Sequence, residues 1–426
     1  MQSRTPGAVH DSAQSNCARI IAQLNPKRAS GTVGSANPAL LCALYGGIQF
    51  VWGAVLAVSL QARSIALGGH AAVLAYATIA AAGAGVATIV QIAAGILSDR
   101  RYARDTFYAA GIGLALPAIV WFYLAPALPQ LAAAFFSLQF AVNVAGGPYA
   151  AVIPDYVERP RRGRASSFMS AYSSLGNAAG LIVAGFVHDL RAVAAFLCSG
   201  LAATYAITAI HLRSRNRDTK PGGLRTGVSP EGSRVRAIME ALLLSRGLVN
   251  VGFFTLVGFL LFYVRDALGI VGSAAEVQTA LIFLTFTLTA VTGAILAARP
   301  ADRYDKRRVV CVAIAVIALA LGALASAPSI EVAYAAAALA GCAWGAFVTT
   351  DWALATALLP QGSMATAMGV WNIATALPQV IAPLIAAPLV VRLDRLHVGL
   401  GPRAAIVLAL VEFIAGGAAI WRLPRC

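Results

Sequence analysis

Charged residues are scarce in this chain, since Asp, Glu, Lys and Arg make up only 12% of its 426 residues. Lysine occurs only at Lys27, Lys220 and Lys306, and none of them follows a glycine, so no G-K-[ST] loop is present to bind a nucleotide phosphate. The histidines are too dispersed for an H-E-x-x-H helix, and the cysteines form no C-x-x-C pair. The sequence therefore predicts no enzyme, no metal site, no cofactor and no disulfide.

Apolar residues are abundant: they make up 59% of the chain, and the mean hydropathy is +0.76, far above that of a soluble protein. About twelve stretches reach the roughly 20 apolar residues that cross the hydrocarbon layer as a helix. Their Ala, Leu and Gly content and their lack of in-and-out alternation exclude barrel strands. The predicted fold is an all-helical membrane protein with spanning helices that begin near Ala39, Ala71, Thr106, Gln130, Ala165, Ala192, Arg246, Glu276, Val309, Glu331, Ala367 and Arg403.

The net charge of +15 comes from basic residues that are spread along the loops. With the N-terminus in the cytoplasm, the positive-inside rule is satisfied by all but a few of them, namely Arg63, Arg191, Arg265, Arg392, Arg395 and Arg403. We therefore expect a multi-pass protein of the plasma membrane (the bacterial inner membrane) with both termini cytoplasmic. The basic loops are expected to contact anionic lipid headgroups, and no nucleic-acid partner is expected.

A polar stretch in the middle of the chain divides it into two halves. The predicted organisation is a cytoplasmic N-terminal tail (1–38), an N-terminal six-helix bundle (39–212), a cytoplasmic central loop (213–245), a C-terminal six-helix bundle (246–422) and a cytoplasmic C-terminus (423–426). Glycine pairs at Gly83 and Gly85, Gly176 and Gly180, and Gly341 and Gly345 suggest close helix contacts, although glycine is also simply common in membrane helices.

The same charged phrase occurs in both halves. Gly95-Ile96-Leu97-Ser98-Asp99-Arg100-Arg101-Tyr102-Ala103-Arg104 is matched by Asp302-Arg303-Tyr304-Asp305-Lys306-Arg307-Arg308, each after a long apolar run. Such a repeat indicates a duplicated six-helix unit, with a cavity between two bundles that can rock about a site at the midplane. The first phrase matches the G-x-L-x-D-R-x-x-x-R signature, and the chain resembles the major facilitator superfamily over essentially all of its helices.

That resemblance implies a secondary carrier with a cytoplasmic gate. In the first half the gate residues would be Gly95, Asp99, Arg100, Arg104, Asp155 and Arg164, with Arg100 or Arg104 reaching Asp155. In the second half they would be Asp302, Arg303 and Arg307, but Ala298 replaces the glycine and Gln361 stands where Asp155 stands in the first half. The alternative interpretation is that these arginines only set the topology.

A narrower resemblance is to sucrose and glycoside carriers, of the glycoside-pentoside-hexuronide branch. It rests on Gly46-Gly47-Ile48-Gln49-Phe50-Val51-Trp52, Gly147-Pro148-Tyr149-Ala150-Ala151-Val152-Ile153-Pro154-Asp155, Leu175-Gly176-Asn177, Trp371-Asn372-Ile373-Ala374 and Leu377-Pro378-Gln379. Several sucrose carriers have an intramembrane acid at the position of Gln139, and glutamine does not take up a proton at physiological pH. The coupling ion is therefore open.

Asp351 is an acid near the end of the tenth predicted span, and intramembrane acids are usually functional. It could take up the coupling proton or bind a substrate hydroxyl or ammonium, or it could pair with Arg303 at the cytoplasmic rim. Amide, phenol and indole groups suit polyhydroxyl ligands. The substrate-binding candidates that carry such groups are Tyr45, Gln49, Trp52, Gln139, Asn143, Asn177, Asn250, Trp344, Asn372 and Gln379, and bonding between helices is their alternative role.

The function predicted from the sequence is secondary active transport by a monomer that takes up a sugar or glycoside with protons. One alternative is an exporter of apolar or cationic metabolites, which an apolar cavity and Asp351 would suit. Another is a membrane sensor or scaffold that keeps the fold without moving a solute.

Overall fold

The computed structural model describes residues 37–100, 104–157, 162–213, 233–358 and 364–421, and the chain in these ranges is helical without strands. The all-helical fold is thus confirmed. The helices of the first half are α1 Pro38–Leu41, α2 Ala43–Ala54, α3 Leu60–Gly68, α4 Ala72–Arg100, α5 Arg104–Leu124, α6 Leu128–Tyr149, α7 Val152–Tyr156, α8 Arg162–Phe186 and α9 Leu190–Arg213. Those of the second half are α10 Ser233–Phe262, α11 Ser273–Arg303, α12 Lys306–Ala325, α13 Ile330–Leu358, α14 Met364–Asp394 and α15 Leu400–Ile420.

Two wider π-helical turns interrupt the regular helices. Val55–Ser59 joins α2 to α3, and Tyr263–Ala267 continues α10 at its C-terminal end. A π turn inserts one residue into the helical repeat and rotates the side chains beyond it, and such turns are frequent at functional sites. After α3 the chain reverses through Gly69, whose positive φ of 50° favours glycine.

Ten helical stretches of the described residues are long and apolar enough to cross a membrane, one of them the continuous run Pro38–Ser98 that includes α1 to α4. Exposed apolar side chains such as Ile89, Ile210 and Leu319 are the surface that lipid would cover. The protein is thus an integral, multi-pass membrane protein. The number of twelve spanning helices and the cytoplasmic termini stay predictions.

Some helix ends differ from those expected. The α10 helix begins at Ser233, several turns before the predicted Arg246, because a helix can continue past the apolar run on which the prediction was based. In the first half, α6 ends at Tyr149, and Pro154 lies inside the short helix α7 rather than at the end of a spanning helix.

The two halves repeat one packing plan. In the first half α2 packs on α8 and α9, α6 packs on α4 and α5, and α5 packs on α9. In the second half α10 packs on α14 and α15, α13 packs on α11 and α12, and α12 packs on α15. Each pair of the first half has its counterpart in the second. The halves meet where α4 contacts α14 and α8 contacts α11, which are themselves a symmetric pair.

The ends of the helices form two faces, which we name by the chain. The terminal face carries Asn37 and Trp421, and the distal face carries the turns between α3 and α4, α5 and α6, α8 and α9, α10 and α11, α12 and α13, and α14 and α15. On the distal face Arg63 donates to the carbonyl of Ala125, and Arg403 donates to Ala325 at 2.6 Å. These arginines hold the C-terminal ends of α5 and α12, where carbonyls lack helical partners.

The contacts between the halves include a group close to the distal face. Tyr76 of α4 packs on Phe259 and Phe262 of α10, with ring centroids 5.9 and 5.8 Å apart. Gly185 of α8 lies directly against Ala280 of α11. The side chain of Gln61 in α3 bonds the backbone of α10. The halves are therefore closed against each other on this face.

Glycine allows the closest of the helix contacts. A Cβ on Gly176 or Gly180 would overlap the backbone of α2, and a Cβ on Gly341 or Gly345 would overlap the backbone of α11. Gly83 lies against the ring of Phe135 in the same way, whereas a Cβ on Gly85 would meet nothing within 4 Å. Five of the six predicted glycines are thus packing positions, and only Gly85 is not.

We expect Gly345→Ala to lower the thermal unfolding midpoint of the detergent-purified protein, because its methyl group would overlap the carbonyl of Ala290 and force α11 and α13 apart at a cost of about 1–3 kcal/mol. The matched control is Gly85→Ala, which should leave the midpoint unchanged or raise it slightly. Equal destabilisation by the two changes would contradict the packing described here.

Candidate functional site

The first-half gate candidates Arg104 and Asp155 contact each other at the terminal face. Nη1 of Arg104, in the first turn of α5, lies 2.6 Å from Oδ2 of Asp155 in α7 and also donates to the carbonyl of Pro148 at 3.4 Å. The Arg104 side chain is only 12% exposed, whereas that of Asp155 is 35% exposed. Burial and the nearby carboxylates of Asp105 and Asp155 raise the pKa of Tyr156 to about 12, so its hydroxyl stays protonated at neutral pH.

The other first-half candidates are placed separately. Gly95 lies where α4 closely approaches α6. A Cβ built on Gly147 of α6 would lie 3.3 Å from the backbone nitrogen of Gly95. Arg164 is exposed at the start of α8, with its guanidinium 5.9 Å from the ring of Phe168. The side chains of Asp99 and Arg100 lie outside the described residues.

In the second half, Arg307 occupies the position equivalent to Arg104 but has a different acid beside it. Asp305 caps α12 by accepting from the backbone nitrogen of Arg307 at 3.1 Å, and its other oxygen lies 3.2 Å from Nη2 of Arg307. The guanidinium lies 5.6 Å from the ring centroid of Trp421. Arg303 is exposed at the end of α11, and the side chain of Asp302 lies outside the described residues.

Asp305 as the partner of Arg307 was not predicted. The signal was present in the sequence, because an Asp directly before a basic helical start is a common N-cap. The two halves therefore differ here: an acid from a neighbouring short helix contacts Arg104, whereas an acid within the same helical turn contacts Arg307.

Asp351 forms an ion pair inside the C-terminal half. Its carboxylate accepts a hydrogen bond from Nη1 of Arg246, which lies on α10, and the Asp351 residue is only 1% exposed. The sequence left a pair of Asp351 with Arg303 as an alternative. In the described conformation that alternative is wrong, because Arg303 is exposed at the surface. Asn250 follows Arg246 by one turn and donates to its carbonyl at 2.8 Å. This group places a charged pair and an amide on facing sides of α10 and α13.

Several polar candidates of the first half lie on α2, α6 and α8. The Tyr45 hydroxyl lies close to the side chains of Gln49 and Ser173, and its ring stacks 6.5 Å from that of Tyr149. Trp52 is half-buried against the core. Gln49 and Tyr45 are one turn apart, so α2 and α8 together hold a small hydrogen-bonding cluster.

On α6, Gln139 is buried and accepts from the amide of Asn143 through both its backbone oxygen at 2.8 Å and its side-chain oxygen at 3.3 Å. On α8, the side-chain oxygen of Asn177 is buried without a hydrogen-bond partner among the described residues. Gln379 is half-buried on α14, and the side chain of Asn372 lies outside the described residues. A buried acceptor without a partner is unusual enough to mark Asn177 as a ligand candidate.

Trp344 belongs to an aromatic cluster of the second half. Its ring stacks on Phe253 with centroids 4.5 Å apart and an interplanar angle of 11°, and it also contacts Phe286, Phe347 and Phe413. One face of the indole is thus already covered. Next to the cluster lies a small cavity whose lining is entirely apolar and includes Phe253, Leu260, Phe283, Phe286, Leu321 and Ala337.

Two buried polar residues outside the predicted site also bond between helices. Glu412 of α15 accepts from the hydroxyl of Thr255 in α10 at 3.0 Å. Gln61 was missed by sequence reasoning, although an isolated amide in a long apolar run is a signal in itself. No group of His, Cys, Asp and Glu able to hold a metal ion occurs among the residues that the structure describes.

The family comparison gives one match over most of the chain. The model of the Major Facilitator Superfamily matches residues 38–383. The comparison with curated proteins gave no match. The sucrose and glycoside branch is therefore not identified by these comparisons.

Solved transporters share the fold at low sequence identity. A bacterial homologue of the human lysosomal transporter Spinster, in an inward-facing and unoccupied conformation, aligns with a TM-score of 0.70 and 14% identity over 90% of this chain and 95% of that one. A D-xylose-proton symporter gives 0.68 and 15% identity over 91% and 98%. An auto-inhibited peptide transporter of the POT family gives 0.71 and 11% over 91% and 97%. At these identities the likeness shows the fold alone.

A double-mutant cycle tests the contact between Arg104 and Asp155. We expect Arg104→Gln and Asp155→Asn to be coupled by up to about 1 kcal/mol in the free energy of unfolding, since the pair is only partly shielded from water. The control cycle combines Asp155→Asn with Arg164→Gln, because Arg164 lies at the surface, and it should be additive. Additivity in both cycles would mean that the pair contributes nothing measurable.

Proposed function

The chain belongs to the Major Facilitator Superfamily and is a secondary transporter, and we propose that it takes up a small polyhydroxylated solute, such as a sugar or glycoside, together with protons. The solute would bind between the halves, near the middle of the membrane. The observation that carries the proton part of this proposal is the buried pair of Asp351 and Arg246.

An ion pair in this position can respond to protonation. Removing two charges from water costs free energy, and their mutual attraction offsets that cost only while the two charges face each other. Protonation of Asp351 would remove its charge and weaken its hold on Arg246, whose guanidinium could then also bond a substrate oxygen or water. Binding or release of a proton at this pair would therefore change the contacts between α10 and α13. Such a link between protonation and conformation is what coupling requires.

Neutral hydrogen-bonding groups support a polyhydroxylated solute. Tyr45, Gln49 and Ser173 form one cluster, and Gln139 and Asn143 form another in the same half. Asn177 adds an acceptor without a partner among the described residues. Hydroxyl groups both donate and accept, so they match phenol and amide groups better than they match charges. The motifs shared with sucrose and glycoside carriers point to the same solute class.

We further propose that Asp99, Arg100, Arg104, Asp155 and Arg164, together with Asp302, Arg303 and Arg307, form the gate at the terminal face. The contact between Arg104 and Asp155 supports the first half of this gate. With the terminal face in the cytoplasm, as the basic loops indicate, closure of the halves on the distal face corresponds to a carrier shut towards the outside.

A second candidate function is export of apolar or cationic compounds. The rings of Phe253, Phe286, Trp344 and Phe347 and the apolar cavity beside them favour it, because aromatic faces bind both apolar groups and cations. In that case Asp351 would balance the charge of the substrate.

The proton role predicts a specific defect. In proteoliposomes an inwardly directed proton gradient should drive the solute to accumulate by about tenfold per pH unit for one-to-one cotransport with protons. We expect Asp351→Asn to abolish accumulation while labelled solute still equilibrates by counterflow, because the amide mimics the protonated acid and can still accept from Arg246.

The matched control is Glu331→Gln, an acid-to-amide change at the exposed distal end of the same helix, α13. It should accumulate solute like the unaltered protein. Accumulation by Asp351→Asn that still follows the pH gradient would remove Asp351 from proton coupling and leave the transport proposal intact.

Solute identity is tested by comparing counterflow of labelled sucrose and maltose with efflux of a lipophilic cation. We expect sugar counterflow, and a loss of at least about tenfold in its rate with Gln49→Ala because the Tyr45 cluster is broken. Efflux of the cation with no sugar counterflow, weakened by Phe253→Ala, would instead favour the exporter. Binding of a solute without any flux would favour a sensor.

A further inference from the structure

Gln61 has an unusual arrangement for a side chain in an apolar helix. It lies in α3 and is completely buried, and all the polar atoms of its amide are bonded. Nε2 donates to the carbonyl of Ala57 in its own helical stretch at 3.0 Å and to the carbonyl of Val257 in α10 at 3.0 Å. Oε1 accepts from the backbone nitrogen of Leu261 at 3.1 Å. One amide therefore joins the two halves through two hydrogen bonds.

The two groups of α10 that Gln61 contacts belong together. Val257 and Leu261 are four residues apart, so the carbonyl of one and the N–H of the other are the partners of a single α-helical hydrogen bond. The amide bridges this pair much as a peptide group would. When the amide leaves, the carbonyl and the N–H still have each other, so α10 need not keep an unsatisfied polar group.

The amide of Gln61 also has hydrogen-bond acceptors within its own half. The π turn Val55–Ser59 directly precedes α3, and the carbonyls of Leu56 and Ala57 within this turn lie 3.5 and 3.0 Å from Nε2. Nε2 would keep its bond to Ala57 after separation from α10. Oε1 and the N–H that had bonded Val257 would then lose their partners, and the carbonyl of Leu56 and water reaching the opened face would supply new ones. Breaking the contact is therefore reversible without a lasting desolvation penalty.

We propose that Gln61 is the latch that closes the distal face, and that it must release α10 whenever that face opens. The contact of Gln61 with α10 consists of directional hydrogen bonds. The neighbouring contacts of Tyr76 with Gly258 and of Gly185 with Ala280 are van der Waals packing contacts. This inference rests on the proposed function only in that transport requires the face to open. Its test uses no substrate, so the latch and the transport proposal can fail independently.

The experiment measures how often the distal face opens in the full-length protein. Ala280→Cys places a thiol in the closed contact with Gly185, where opening exposes it. The reaction of this thiol with a hydrophilic maleimide is followed in the purified protein by mass spectrometry of its peptides. This measurement distinguishes labelling at position 280 from labelling of the native cysteines. Among these, Cys42 is buried within the first half and bonds the carbonyl of Ala165 at 3.5 Å, so it reports unfolding.

We expect Gln61→Met, which keeps the length of the side chain but not its hydrogen bonds, to raise the labelling rate at position 280 about tenfold, equivalent to about 1.4 kcal/mol. Labelling of Cys42 should not change. Gln61→Asn, whose amide is too short to bridge both groups, should give an intermediate rise and serves if Gln61→Met does not fold.

The matched control is Tyr123→Phe. It removes a buried hydrogen bond of 2.8 Å to Ser59, in the π turn beside Gln61, but one that stays within the first half. Its labelling rate at position 280 should equal that of the parent. An unchanged rate with both Gln61 variants, an equal rise with Tyr123→Phe, or a parallel rise at Cys42 would each overturn the latch.

Discussion

In hydrocarbon no water is present to satisfy a polar group, so each backbone and side-chain donor must find its acceptor within the protein. This constraint explains why the described chain is helical throughout and why several of its buried polar side chains are bonded across helices. Asp351 bonds Arg246, Glu412 bonds Thr255 and Gln61 bonds the backbone of α10. Polar contacts in this setting are few and specific, so each is a candidate for control of the movement between helices.

Both halves repeat one packing plan, so the movement between helices can take place between two similar bodies. Within each half, glycines bring helices to backbone contact, as Gly176 does on α2 and Gly345 does on α11. Between the halves, the contacts near the distal face combine ring packing with a single bridging amide. Rigid halves joined by contacts that can be exchanged are what rocking about a central site requires. In the described conformation Arg104 pairs with Asp155 and Arg307 pairs with Asp305, each within its own half, so neither pair joins the two halves at the terminal face.

The sequence was sufficient for the helical fold, because apolar length alone predicts a membrane helix, and for most of the tight glycine contacts. It also gave Arg104 as one of two candidates, with Arg100, for the contact with Asp155 that the structure shows for Arg104. It could not identify Arg246 as the partner of Asp351, because the two are far apart in the chain and no local pattern links them. The bridging role of Gln61 depends on how α3 meets α10, and the covered face of Trp344 depends on Phe253; neither arrangement has a local signature. The exact division of the chain and its orientation in the membrane stay predictions.

The central claim is that the two halves move as bodies and open one face while they close the other. Spin labels at exposed positions test it directly: His70 and Val271 for the distal face, and Leu40 and Tyr304 for the terminal face. Pulsed dipolar distances would be measured in lipid nanodiscs over a range of pH and with candidate solutes. The account predicts that conditions which lengthen the distal distance shorten the terminal one. Distances that never change, or that lengthen together, would contradict it.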